Sequence, residues 1–80
     1  MSIAEYCNRD VIVIDKDEPV NTVIELMRSQ HVGDVVVVDR QAGLVIPVGI
    51  LTDRDIVLEV MAEAVDPGSV SAGDVMSYEI

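Results

Sequence analysis

The chain has 80 residues, which bounds it to one small domain. Half of the residues are hydrophobic, only two are aromatic, and the formal net charge is −10. Such a chain repels nucleic acid and anionic membranes, because neutralising phosphate needs clustered Lys and Arg, and the basic residues Arg9, Lys16, Arg28, Arg40 and Arg54 are scattered.

The core must be aliphatic. A chain this short buries only about 60–65% of its unfolded surface, so its high apolar content predicts a second buried surface, most simply a partner. The single cysteine, Cys7, can form neither an intrachain disulfide nor a metal cluster. No apolar run approaches the ~18 residues needed to span a bilayer, and no basic-then-apolar leader opens the chain. The expected compartment is the cytoplasm.

In chain order, Asp10–Asp15 (DVIVID) is short and β-branched, which predicts a strand. Pro19 suits the first turn of a following helix, with Asp17 or Glu18 near its positive end. Val20, Val23, Ile24, Met27 and His31 recur at helical spacing, and Gly33 is expected to end that helix. Asp34–Asp39 (DVVVVD) lacks alternation, as a strand covered on both faces does. Arg40–Gly43 reads as a turn. Leu44–Leu51 reads as a further strand, ordered from Ile46 because Pro47 has no amide hydrogen. A second helix is predicted from Asp53 to Val65, ahead of Pro67-Gly68. Asp55, Glu59 and Glu63 form one acidic line along it, expected to face water. Its other residues after Asp55 are apolar over a wider face than one sheet needs, which predicts a covering partner.

The two ends of the chain resemble each other. Ile3–Val11 (IAEYCNRDV) aligns with Ala72–Ile80 (AGDVMSYEI), small residue on small, acid on acid and apolar on apolar. That match suggests a tandem repeat. The expectation is one full repeat over 1–69 and the lead-in to a second over 70–80.

The most informative stretch is Pro47–Asp55 (PVGILTDRD), where a strand hands over to a helix. Thr52 followed three residues later by Asp55 fits a reciprocal cap: the hydroxyl accepts from the third amide and the carboxylate reaches back. Capping alone explains these residues. A nucleotide would use the same geometry. Helix-terminal amides and Arg54 suit phosphate, and an aspartate can accept from the two hydroxyls of a ribose. The two readings are not exclusive.

The residues Asp17–Asp39 (DEPVNTVIELMRSQHVGDVVVVD) and Pro47–Val57 (PVGILTDRDIV), with the closing Ala72–Ser77 (AGDVMS), resemble a CBS domain, the regulatory module named after cystathionine β-synthase. The resemblance covers nearly the whole chain. It implies an α/β (α+β) fold: a β-α-β-β-α repeat with a small mixed sheet covered by two helices, here part of an incomplete pair. It implies that repeats work in pairs, through a second CBS repeat or a homodimer partner. It further implies an adenosine-containing regulatory ligand, AMP, ADP, ATP or S-adenosylmethionine, in a cleft between repeats, with no cofactor required. The family roles of ribose and phosphate contact fall on Thr52 and Asp55, with Arg54 on phosphate. Those near the base fall on Asp10, Val11 and Ile12 and on Val32, Gly33, Asp34 and Val35. Asp34 stands where many relatives carry a small or neutral residue. Its carboxylate would oppose phosphates, which favours AMP or S-adenosylmethionine over ATP.

The other candidates carry less. His31 has no second histidine or cysteine nearby and is expected as a packing or cleft-edge residue, not a metal ligand. Cys7 is expected as apolar filler, and Met27, Met61 and Met76 as core or interface. No nucleophile–base arrangement can be assembled, so no enzymatic activity is expected. Two functions compete: a ligand-sensing regulatory module, and a structural dimerisation module in which Thr52 and Asp55 only cap a helix.

Overall fold

The computed structural model describes residues 12–78. Its elements are β1 (Val13–Asp15), α1 (Val20–Gln30), β2 (Asp34–Gln41), β3 (Leu44–Thr52), α2 (Asp53–Ile56), a π-helical turn (Val57–Met61) that continues α2, and α3 (Ala72–Val75). The three strands form one sheet in the order β1-β2-β3. β1 runs parallel to β2 and β3 antiparallel to it. This is the small mixed α+β sheet that the sequence predicts.

The valine run forms the middle strand. Val35, Val37 and Val38 are buried, and Val36 is half-buried. From α1 the core receives Val20, Val23 and Met27; Leu51 comes from β3, and Ile56 and Val60 from α2 and its continuation. Burial of each such side chain stabilises the fold by about 1.5–3 kcal/mol.

Several boundaries differ from the sequence expectation. Asp10 and Val11 lie outside the described residues, so the strand described there starts at Val13. Pro19 is the N-cap of α1, not part of its first turn, and offers no side-chain cap. Instead, the Val20 and Asn21 amides donate to the carbonyls of Val70 (3.0 Å) and Pro67 (3.1 Å). α1 ends at His31, which adopts the left-handed conformation at φ 55°, two residues before the expected Gly33. His31 and Ile24 are exposed, so they are not part of the buried stripe.

The β2–β3 turn is tighter than expected. Arg40 and Gln41 still pair with Val45 and Leu44. Only Ala42 (φ 51°) and Gly43 (φ 79°) turn the chain, as a two-residue hairpin with both central residues left-handed requires. Strand β3 therefore begins at Leu44, ahead of the expected Ile46. Pro47 fits because Val37 faces Gly49 while Val38 faces Pro47, leaving Val48 as an extra residue in a bulge.

The second helix departs most from expectation. It is α-helical only to Ile56, then π-helical to Met61, and does not reach Val65. The amides of Ala62 and Val65 donate to the carbonyls five residues back, Val57 and Val60, each at 2.9 Å. Glu59 and Glu63 face water as expected, while Asp55 is half-buried.

Candidate functional site

The topology gathers the candidate residues. Parallel β1 and β2 begin at one end of the sheet, and antiparallel β3 finishes there. The Ile12 carbonyl accepts from the Val36 amide at 2.9 Å, which brings Ile12 beside the start of β2. Asp34 faces Thr52, and Val35 faces Leu51. The Asp53 amide donates to the Gly33 carbonyl at 2.9 Å, tying the turn before β2 to the β3–α2 junction. Ile12, Val32, Gly33, Asp34, Val35, Thr52, Arg54 and Asp55 thus share one end of the fold. Asp10 and Val11 fall outside the described residues.

At the junction both halves of the expected cap are present. The Asp55 amide donates to Thr52 Oγ1 at 3.0 Å, and the Thr52 amide donates to Asp55 Oδ2 at 3.0 Å. Both side chains are half-buried. The Thr52 hydroxyl keeps its own proton as a donor, and Asp55 keeps Oδ1 as an acceptor. The backbone offers an anion less than a bare helix end would. Of the first three amides, Asp53 is taken by Gly33 and Asp55 by Thr52. That of Arg54 remains.

The electrostatics are acidic. Asp34 and Asp53 are exposed at this end, together with Arg54, whose guanidinium makes no ion pair among the described residues. The Asp53 carboxylate leans over Gly33: a Cβ added there would lie 3.2 Å from Asp53 Oδ2. Among the described residues no cluster of His, Cys, Asp or Glu could hold a metal ion, and no helix is long and apolar enough to cross a membrane.

Sequence reasoning missed three features. One is a groove of about 480 Å³ between β1 and α1, bordered by Val13, Asp15, Leu26 and Arg40 and by none of the candidate residues. A second is Gly49, on which the C-terminal segment rests. The third is another reciprocal cap, between Ser71 and Asp74. Its signature, a serine three residues before an acid, is legible in Ser71–Asp74 (SAGD).

A parallel pair joined by α1, a hairpin back to β3 and a reciprocally capped helix at the end that gathers the candidate residues define a β-α-β-β-α repeat. The family model for the CBS domain matches residues 3–62. The chain belongs to the CBS domain family, whose members are often regulatory. An uncharacterised protein of Methanopyrus kandleri is 35% identical over 83 residues, covering 100% of this chain and 39% of its own length. This chain thus spans about two-fifths of that relative. Among solved structures, a CBS-domain protein of Agrobacterium tumefaciens has a TM-score of 0.75 at 26% identity, over 95% of this chain and 55% of that one. A hexameric CBS-CP12 protein of bloom-forming cyanobacteria has a TM-score of 0.75 at 25% identity, over 89% of this chain and 40% of its own.

Proposed function

We propose that this chain is the adenosyl-ligand-sensing part of a cytoplasmic regulatory CBS module, with a first repeat over 1–69 and the lead-in to a second over 70–80. The observation that carries this reading is the convergence of Ile12, Val32–Val35 and Thr52–Asp55 on one end of the sheet, joined by the Asp53–Gly33 bond. In this reading Asp55 Oδ1 and the Thr52 hydroxyl meet ribose and phosphate. Arg54 meets phosphate, and Asp10–Ile12 with Val32–Val35 border the base. The partner that closes the cleft is a second repeat or a second copy of the chain. Asp34 and Asp53 beside the site favour AMP or S-adenosylmethionine over the more anionic ATP.

A structural dimerisation module is the second reading. The observation favouring it is the mutual cap, which employs Thr52 and Asp55 without any ligand.

A thermal-shift titration with AMP, ADP, ATP, S-adenosylmethionine and GTP at fixed salt separates the two. A ligand at a hundred times its dissociation constant adds about 2.7 kcal/mol to stability. The expected result is a rise with adenosyl ligands and none with GTP. It should disappear in the Thr52→Val, Asp55→Ala double variant, and Asp34→Ser should improve ATP relative to AMP. No rise with any ligand, in this chain and in a two-repeat protein, leaves the dimerisation module.

A further inference from the structure

We propose that residues 66–78 are a strap that holds the β3–α2 junction in place, so that Gly49 is a positioning residue for Thr52 and Asp55. The strap is anchored at both flanks of the sheet. On the β1 side, the amides of Ala72 and Gly73 donate to the carbonyls of Glu18 and Lys16, both at 2.8 Å. On the β3 side, Ile50 and Ser77 exchange a pair of backbone bonds, Ile50 amide to Ser77 carbonyl at 2.9 Å and the reverse at 2.8 Å. Between the anchors, Ala72 is fully buried and Val75 nearly so, in the same core cluster as Leu51 and Ile56.

Each anchor rests on a glycine. A Cβ on Gly73 would lie 3.1 Å from the Lys16 carbonyl oxygen. A Cβ on Gly49 would lie 2.6 Å from both Met76 Sδ and the Ser77 carbonyl oxygen. Gly49 has no positive φ, so the backbone there tolerates a side chain and only the space forbids it. The methionine could swing away; the carbonyl moves only if the strap moves.

The location gives the strap its consequence. Without it, β3 is an edge strand along its whole length, and edge strands fray. The strap closes that edge at Ile50, two residues before Thr52. Leu51, between them, is fully buried and transmits position rigidly. A pull on the chain beyond Tyr78 therefore acts first on the strand end that carries the capping box. Conversely, a ligand gripping Thr52 and Asp55 stiffens the seat on which Ser77 is docked.

Residue-resolved amide hydrogen exchange on this chain tests the strap without any ligand. Gly49→Ala should speed exchange at Ser77 and at Asp55 by about tenfold or more relative to Val37 in the middle strand, as local opening does. Gly43→Ala is the control. Its φ of 79° strains an added side chain, but nothing lies within 4 Å, so it should weaken the fold without favouring the junction. If Gly49→Ala misfolds, Ser77→Pro removes the amide that bonds the Ile50 carbonyl, and faster exchange is then read at the Ile50 amide, which donates to the Ser77 carbonyl, and at Asp55. Faster exchange at Ser77 with Asp55 unchanged relative to Val37 would overturn the proposal, as would a strap still protected in Gly49→Ala. An AMP titration of the same variants reads the ligand site independently. Absence of AMP binding to the unsubstituted chain would count against an AMP site in the single repeat and leave the exchange result standing.

Discussion

His31 closes α1 in the left-handed conformation, at φ 55°, with its imidazole exposed and its amide bonded to the Met27 carbonyl. Ala42 and Ala64 also hold positive φ, at 51° and 55°. A Cβ in this region costs about 1–2 kcal/mol, so glycine is the usual occupant of such helix ends. The sequence hides the His31 position because the glycine that draws attention, Gly33, lies two residues further on. Its role is to make room for the Asp53 carboxylate. His31→Gly should therefore stabilise the chain by about 0.5–1 kcal/mol, the strain relieved less the entropy that glycine adds to the unfolded state. Urea denaturation reads the change directly. Unchanged or lower stability would mean that the imidazole makes a contribution that its exposure conceals.

At the scale of an element, the π turn after α2 is a contest between local preference and packing. Residues 53–65 contain no glycine or proline, and their composition favours a regular α-helix, which is what the sequence predicts. The core decides otherwise. Ile56 and Val60 are buried four residues apart, but the next inward apolar residue is Val65, five residues on. A regular helix would present Ala64 there instead. Widening one turn brings Val65 to the core, and the five-back bond at Ala62 records it, while the Val65 and Ala64 amides, on the carbonyls of Val60 and Met61, close the helix end over the left-handed Ala64. A π turn equals an α-helix with one extra residue. Removal of Met61, which is 69% exposed, would set Ile56, Val60 and Val65 at regular spacing. That variant should fold within about 1 kcal/mol of the parent, since no buried group is lost. Its far-ultraviolet circular dichroism should show more α-helix. Loss of folding would show that the wide turn serves the strap or loop that follows, not the placement of Val65.

For the molecule as a whole, the sequence was legible wherever pattern and chemistry coincide. The β-branched runs and the Thr52–Asp55 pair each follow a local rule with which the fold agrees, and of the predicted α1 stripe Val20, Val23 and Met27 are buried while Ile24 and His31 are not. Contacts distant in sequence were not legible: the carbonyls of Pro67 and Val70 that cap α1 and the strap on Gly49; nor was the choice of Val65 over Ala64, which core packing makes. The same patterning left an apolar surplus, and the structure shows where it lies. Val57, Leu58 and Met61, on α2 and its continuation, are 50%, 48% and 69% exposed. Contiguous exposed apolar side chains on so acidic a surface mark an interaction face. In the proposed function a second repeat or a second copy covers it. With only this chain present, the second copy is the available partner, and the chain should associate as a homodimer of the 8.7 kDa unit. At about 100 µM a dimer held even at micromolar affinity is the dominant species, so light scattering should return twice the monomer mass. The Leu58→Glu, Met61→Glu double variant should return the monomer mass with its helical signal intact, because both side chains already face water and neither fills the core. A parent that is monomeric at that concentration would assign the face to another partner. A dimer that survives both substitutions would move the interface elsewhere, the exposed hairpin residues Leu44, Val45 and Ile46 being the next apolar surface to substitute.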